Sequence, residues 1–317
     1  MNSILSAKQR SGSSRFRPAM EGLEDRWCPS AASIAVHNQH VLMIHTTHAS
    51  DVITITDDGH GDVSATVTGG DVLTGGGSSI EGIFVIAEGG ADSISYHTTG
   101  PVTVNHSLRF DFRGGHDQLS LNLTNGINTD IFNTQILNRG GSDSVAATFG
   151  NIEDTALNFA SGSYAGNDQV VVNLNGNIGG FSNANFRLVG TKGNNQFVVN
   201  APHTNVDLSA NLSISLLGGS GDDQLVTNFE GVVDGNLNVT SVGFHGNDSI
   251  VTNVTADPGS NGSVIARVRD DGGGHDSLTL NVNESVTGVI LTRMNGRILT
   301  QRGDAVGNTP NIGVMLG

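Results

Sequence analysis

The chain has 317 residues, and its 15 Lys and Arg against 30 Asp and Glu give a formal net charge of −15 and a pI near 4.9. This charge argues against nucleic acids and anionic membranes as partners, because both need clustered basic side chains. The single Cys28 excludes an intrachain disulfide and a zinc site of several thiolates, and no apolar run approaches the roughly 18 residues of a membrane-spanning helix.

The first segment, residues 1–33, is polar and rich in Ser and Arg, and it lacks the apolar core of a secretory signal peptide. Its stretch RFRPAMEGLEDR, residues 15–26, resembles the N-terminal "RPxLExLEDR" segment of many large, repetitive exported proteins of planctomycetes. Met20 and Gly22 depart from that pattern. The resemblance implies an export or sorting segment, expected to be disordered, and an extracellular or cell-surface location.

Residues 34–80 alternate strand-like stretches, such as VLMIH and DVITIT, with Gly and Asp turns. Ser50 and Asp51 repeat the turn motif of the following region without its Gly. We therefore expect a β-rich N-terminal cap or a degenerate coil in this segment.

Residues 81–285 contain eight copies of one motif, Gly-x-Asp/Asn followed by Ser or Gln and an apolar residue, at intervals of 25 to 28 residues. The third residues of the motif are Asp92, Asp117, Asp143, Asp168, Asn195, Asp223, Asp248 and Asp276. Apolar and polar residues alternate after each copy, which predicts a strand. The apolar residues predicted to open these strands and to face the core are Ile94, Leu119, Val145, Val170, Phe197, Leu225, Ile250 and Leu278.

A unit of about 26 residues cannot bury its apolar face alone, whereas stacked units share one continuous core. The repeats therefore predict an all-β fold, a parallel β-solenoid (β-helix) of about eight coils with 25 to 28 residues each. A β-sandwich would also show alternating strands and Gly turns, but it does not require the same residues to return in every unit. An Asn five residues after the Asp position predicts a ladder of stacked amides formed by Asn122, Asn173, Asn200, Asn228, Asn253 and Asn281.

Residues 286–317 lose the motif and carry Arg293, Arg297 and Arg302. Basic side chains at the end of a sheet disfavour pairing with another chain. We expect a polar C-terminal cap here, as repeat proteins require.

The seven Asp residues of the motif have two interpretations. If they line one edge about 4.8 Å apart, neighbouring carboxylates repel by about 3.5 kcal/mol at an effective dielectric constant of 20. Ca²⁺ would offset that repulsion through oxygen ligands. Alternatively, each Asp accepts backbone N–H bonds within its own turn. Asn195 suits the second interpretation, because an amide can cap a turn but contributes no charge to a cation.

The segment GGSGDDQLV, residues 218–226, is similar to the nine-residue GGxGxDxUx unit of the hemolysin-type (RTX) calcium-binding repeats. In that family the units follow one another directly, whereas here one turn occurs per coil. The resemblance implies Ca²⁺ as a cofactor and Gly219, Gly221 and Asp223 as ligand positions. The full set of candidate metal residues is Gly219, Gly221, Asp222, Asp223, Asp92, Asp117, Asp143, Asp168, Asp248 and Asp276.

These features together favour a non-catalytic extracellular or cell-surface β-solenoid with a structural or adhesive role. Its expected partners are calcium ions and cell-surface glycans or other surface proteins. An alternative is a carbohydrate-active β-helix enzyme, a polysaccharide lyase or hydrolase, in which Arg109 and Arg267 would hold an acidic sugar. A glycan-binding module without turnover is a further alternative.

Overall fold

The computed structural model describes residues 32–38, 40–47, 49–68, 73–257, 262–270, 272–282, 290–294, 297–302 and 312–315. The regular structure of these residues is entirely β. They contain no helix that is long and apolar enough to cross a membrane. The predicted export segment lies outside the described residues except for its last two positions, and so does most of the predicted C-terminal cap.

The described residues form 27 strands. The first nine are β1 Ser33–His37, β2 Val41–His45, β3 Val52–Asp57, β4 Val63–Thr68, β5 Leu73–Gly77, β6 Gly82–Ala87, β7 Ser93–Thr98, β8 His106–Phe112 and β9 Gln118–Leu123. The next nine are β10 Ile127–Asn128, β11 Ile131–Asn138, β12 Ser144–Phe149, β13 Ile152–Glu153, β14 Ala156–Ser163, β15 Gln169–Leu174, β16 Ile178–Gly179, β17 Asn183–Gly190 and β18 Gln196–Ala201. The last nine are β19 Asn211–Leu217, β20 Gln224–Gly231, β21 Asn236–Gly243, β22 Ser249–Ala256, β23 Ser263–Asp270, β24 Ser277–Val282, β25 Ile290–Met294, β26 Arg297–Arg302 and β27 Ile312–Met315.

The strands form two 12-stranded sheets and one short three-stranded sheet. The first sheet has the order β1-β2-β6-β8-β11-β14-β17-β19-β21-β23-β25-β26, and the second has the order β27-β24-β22-β20-β18-β15-β12-β9-β7-β3-β4-β5. Strands from successive coils pair in parallel, as β12 does with β9 and β15. This parallel, coil-by-coil pairing confirms the predicted β-solenoid and rules out the β-sandwich.

Antiparallel pairs occur only at the two ends of the described sheets. At the N-terminal end, β1 pairs with β2, and β3, β4 and β5 form a meander. At the C-terminal end, β25 pairs with β26, and β27 pairs with β24. Such pairs cover the edges that parallel stacking would leave open.

The core lies between the two large sheets and is continuous from coil to coil. All eight residues predicted to open the repeat strands and face the core are at most 2% exposed. Phe149, Phe159 and Phe186 pack together in the middle, with ring centroids 5.3 to 6.0 Å apart. The inward and outward alternation of the sequence therefore describes the burial correctly.

The first Gly of the motif has no room for a side chain. Gly141 has a φ of +106°, and a Cβ built on it would lie 1.6 Å from the carbonyl oxygen of Gly115 in the preceding coil. The equivalent glycines, from Gly115 to Gly274, show the same close approach to the turn before them. Stacked turns thus require Gly both for its backbone conformation and for its missing side chain.

The predicted amide ladder forms on the outer face of the second sheet. Its Nδ2 to Oδ1 bonds, 2.7 to 3.1 Å long, join Asn173, Asn200, Asn228, Asn253 and Asn281. Asn122 is outside the ladder, because the residue in register between it and Asn173 is Thr148. The prediction is confirmed for five of the six residues.

Candidate functional site

The Asp and Asn residues of the motif form one column, in which each side chain bonds to the preceding coil. Oδ1 of Asp143 accepts the backbone N–H of Asp117 at 2.9 Å, and Oδ1 of Asp168 accepts that of Asp143 at 2.8 Å. Bonds of this kind, 2.7 to 3.2 Å long, join in order Asp51, Asp92, Asp117, Asp143, Asp168, Asn195, Asp223, Asp248 and Asp276. We call this set the aspartate column.

The direction of these bonds corrects one sequence interpretation. The expectation that each Asp accepts N–H bonds within its own turn was wrong for Oδ1, which bonds to the neighbouring coil instead. The Oδ1 bonds of the column therefore link coils, whereas the interpretation holds for Oδ2 of Asp248, which accepts the N–H of Phe244 in its own turn. Asn195 fits the same role, because its Oδ1 accepts the N–H of Asp168 and its Nδ2 donates to the carbonyl of Gly193 at 3.1 Å.

The second carboxylate oxygens of the column are mostly without a donor. Every column residue is at most 3% exposed. Oδ2 of Asp92 accepts a bond from Thr46 at 3.0 Å, and Oδ2 of Asp248 accepts one from the N–H of Phe244 at 3.1 Å. Among the described residues, no hydrogen-bond partner reaches Oδ2 of Asp117, Asp143, Asp168, Asp223 or Asp276. A buried acceptor of this kind is costly unless a proton or a cation joins it.

Burial shifts six acids of the column toward the protonated state. It raises the pKa of Asp143 to about 7, and the charges of Asp168 and Asp117 add to that shift. It also raises the pKa of Asp92 and of Asp223 to about 6. The pKa values of Asp117, Asp168 and Asp248 are raised for the same primary reason. Desolvation disfavours the charged carboxylate in all of them.

A second, exposed ladder runs beside the column in the opposite direction. It uses the middle residue of the motif. Oδ1 of Asn167 accepts the N–H of Asn194 at 2.8 Å, and Oδ1 of Asn194 accepts the N–H of Asp222 at 2.9 Å. Asp222 and Asn247 continue it toward His275. The sequence reading missed this ladder, although short side chains with an acceptor at this position were a signal for it.

The residues that resemble the RTX repeat are split between two environments. Asp223 lies in the buried column, and its Oδ1 accepts the N–H of Asn195 at 2.7 Å. Asp222 is exposed, and its Oδ1 accepts the N–H of Asn247 at 2.7 Å. The carbonyl of Gly219 accepts the N–H of His245 at 3.0 Å. The role of these residues, with Gly221, as calcium ligands stays a prediction.

A different acidic group is gathered at the C-terminal end of the column. Asp248, Asp270 and Asp276 each offer a carboxylate oxygen, and these oxygens lie within 4.8 Å of one another. Among the described residues, this is the one group of three Asp, Glu, His or Cys side chains with such spacing. Asp270 was not a candidate ligand in the sequence analysis. Oxygen donors alone suit hard cations such as Ca²⁺.

A buried charged centre near the N-terminal end was also missed. Oδ2 of Asp57 lies 2.6 Å from Nε2 of His106 and accepts the hydroxyl of Tyr96 at 2.7 Å. Nδ1 of His106 lies 3.0 Å from the carbonyl of Asn105. A carboxylate and a carbonyl can only accept, so both ring nitrogens carry hydrogen and the ring is charged. Residues 49 positions apart share no repeat motif, so spacing gave no signal for this pair.

The arginines proposed for an enzyme lie in one outward row of the first sheet. The register runs from Arg109 through Gln135, Ala160, Arg187, Ser215 and Thr240 to Arg267. Arg109 lies over the ring of Phe84, 4.9 Å from its centroid, and Arg267 donates to Asn238 at 3.3 Å. Five strands separate β8 from β23, so the structure does not bring these two arginines together.

Comparisons with known proteins found no match. No family model matches the sequence, and neither a curated protein nor a solved structure matches it. The two family resemblances therefore rest on their own motifs, and the function has to be argued from the site.

Proposed function

We propose that the chain is a non-catalytic structural scaffold, displayed at the cell surface or outside the cell, with outer faces available for adhesion. The observation that supports this proposal is the aspartate column. It joins every coil from Asp51 to Asp276 through side chains, in addition to the backbone ladders and the continuous core. A molecule in which each coil is fixed to the next resists local opening, as a load-bearing or spacing element requires.

Location and mechanics test the scaffold proposal separately. Antibodies against the folded coils should label intact cells that make the protein, or detect it in their medium. In force spectroscopy, a chain held at both ends should unfold in cooperative steps that release more than one coil. Detection only after lysis would contradict the location, and coil-by-coil peeling at low force would contradict the mechanical role.

We also propose that calcium ions stabilise the folded coils through the column. The support is the set of buried Oδ2 atoms without donors on Asp117, Asp143, Asp168 and Asp223. A cation that binds the folded chain but not the unfolded chain adds about 2.7 kcal/mol of stability when its free concentration is 100 times the dissociation constant. Thermal unfolding should therefore occur at a higher temperature in millimolar CaCl₂ than in EDTA. Coinciding midpoints would refute calcium stabilisation and leave the scaffold proposal standing.

The second candidate function is passive binding of a linear acidic glycan along the outer face of the first sheet. Arg109, Arg187 and Arg267 recur every third strand of one row, about 14 Å apart at about 4.8 Å per strand. A cavity of about 150 Å³ lies beside Arg187 and includes Gln135 and the half-exposed Tyr164. Together they offer cations and an aromatic surface to a polyanion.

Glycan arrays with linear acidic polysaccharides test this candidate. Arg187→Ala should weaken binding, whereas Arg113→Ala is the matched control, because Arg113 lies outside the row and pairs with Glu88 at 2.6 Å. Release of reducing ends or unsaturated products from the bound glycan would instead favour the lyase or hydrolase alternative. Equal binding by the wild type and Arg187→Ala would exclude the row as the contact surface.

A further inference from the structure

Asp270 occupies a position that is neutral in every earlier coil. Gly243 pairs with Asp270 in register on the neighbouring strand, and the same row contains Ala87, Phe112, Asn138, Ser163 and Gly190. A Cβ on Gly243 would lie 2.3 Å from Oδ2 of Asp248. A side chain at this position therefore faces the column carboxylate, and only in the coil of β23 is that side chain itself an acid.

The three carboxylates of this group have fewer donors than acceptors. Oδ1 of Asp270 accepts the N–H of Gly272 at 3.2 Å, and Oδ1 of Asp276 accepts the N–H of Asp248 at 2.9 Å. Their Oδ2 atoms are buried and have no hydrogen-bond partner in the described part of the chain. Asp248, Asp270 and Asp276 are 1%, 0% and 2% exposed, so water does not solvate their charges.

None of the groups that shift the pKa of Asp270 is a basic side chain that could balance these charges. The charged groups that act on it are Asp276 and Asp248, and both are acidic; Asp276 is also close enough for a side-chain hydrogen bond if one of the two carboxyl groups carries a proton. The buried Asp57 near the other end of the chain has His106 as its counter-charge. Three buried carboxylates whose oxygens lie within 4.8 Å of one another need either protons or a cation to coexist.

We propose that Asp248, Asp270 and Asp276 form a binding site for one hard divalent cation, with Ca²⁺ as the probe. The free Oδ2 atoms of Asp270 and Asp276 and the carboxylate of Asp248 supply the oxygen donors that Ca²⁺ takes in flexible arrangements. The site goes beyond the proposed function, because it requires one ion at one group of residues. It stands whether or not the rest of the aspartate column binds calcium.

Calorimetric titration of the full chain with CaCl₂, after removal of metal with EDTA, tests the site. The wild type should bind one ion at this site. Asp270→Asn and Asp270→Gly should bind that ion at least tenfold more weakly. Gly is the residue of the two preceding coils and Asn keeps the shape, so at least one variant is expected to fold. Asp143→Asn is the matched control for this one ion, because a column Asn has a native example in Asn195 and Asp143 is not part of the group of three.

Thermal unfolding supplies the second readout. CaCl₂ should raise the midpoint of the wild type, and the part of that rise due to this site should be lost in Asp270→Asn and kept in Asp143→Asn. The site would be overturned if the wild type binds no Ca²⁺ at millimolar concentration, or if Asp270→Asn binds it as the wild type does. A proton shared among the three carboxylates would then explain how they coexist. Additional ions that Asp143→Asn weakens would report calcium in the column, so the two proposals can fail independently.

Discussion

Asp57 and the aspartate column are equally buried, yet the pKa of Asp57 is lowered and that of Asp143 in the column is raised. Asp57 is 0% exposed and Asp143 is 1% exposed. Burial raises the pKa of both, but in Asp57 the bond and charge of His106, with the Tyr96 hydroxyl and the Gly59 N–H, outweigh burial and lower the pKa. Asp143 has one backbone donor and two acidic neighbours, so its pKa rises to about 7.

The comparison shows that the partners of a buried acid, rather than its burial, decide its charge. At Asp57 the chain supplies the counter-charge itself, and the pKa of His106 is raised in return by its bond to Asp57. At Asp143 and Asp168 the chain supplies only one backbone N–H per carboxylate. The remaining charge has to be removed by a proton or balanced by an ion from outside. The column is therefore the part of the molecule that depends on the solution.

His106→Ala should give the largest effect. It leaves Asp57 buried without its counter-charge, and breaking a buried pair in this way costs about 3 to 5 kcal/mol. Urea unfolding monitored by circular dichroism measures the loss. His245→Ala is the control, because His245 is exposed and a surface change of this kind costs about 0.5 kcal/mol or less. A loss below about 1 kcal/mol at His106 would show that Asp57 does not need the charge.

The pH dependence of unfolding in EDTA should reveal the column. A carboxyl group whose pKa is raised in the folded state binds its proton more tightly there, so the free energy of unfolding falls as pH rises from about 4 to about 7. For Asp143 this fall is at most about 4 kcal/mol, at about 1.4 kcal/mol per pKa unit. Asp143→Asn should remove that part of the fall, because the amide keeps the Oδ1 acceptor and cannot ionise.

Asn195→Asp is the reverse test of the same idea. It adds a carboxylate between Asp168 and Asp223 in the buried column, so the fall in stability between pH 4 and 7 should become steeper. The pair of Asp57 and His106 behaves differently. Its contribution is lost below the lowered pKa of Asp57 and again above the raised pKa of His106. Identical pH profiles for the wild type and both column variants would contradict the assignment.

The repeat made the coil predictable, because each coil reproduces the contacts of the one before. The spacing of Gly141 and Asp143 from their counterparts predicted both the glycine turns and the stacking of the Asp residues. The direction of the Oδ1 bonds was not predictable, because it depends on how the turn orients its N–H groups. His106 has no counterpart in the repeat, so its partner 49 residues away could only be found in the folded chain.

The position of Asp270 beside the column could have been found in the sequence, but it is shifted by one residue relative to the repeat motif. Its row places Ser163, Gly190 and Gly243 five residues before the column residues Asp168, Asn195 and Asp248. Asp270 stands six residues before Asp276, so an alignment on the motif does not place it in that row. Strand pairing restores the register, since Asp270 pairs with Gly243. Insertions at turns therefore hide contacts that a fixed period cannot recover.

The outer amide ladder should contribute less to stability than the buried charged groups. It also joins coils through side chains, but its groups are neutral and half-buried. Asn200 donates to Asn173 at 3.1 Å and accepts from Asn228 at 2.9 Å, so Asn200→Ala should cost about 0.5 to 1.5 kcal/mol in urea unfolding. Thr148→Asn fills the gap between Asn122 and Asn173 and should raise the free energy of unfolding by a smaller amount. A loss at Asn200 as large as that at His106 would mean that stacking geometry, rather than buried charge, determines what an inter-coil contact contributes.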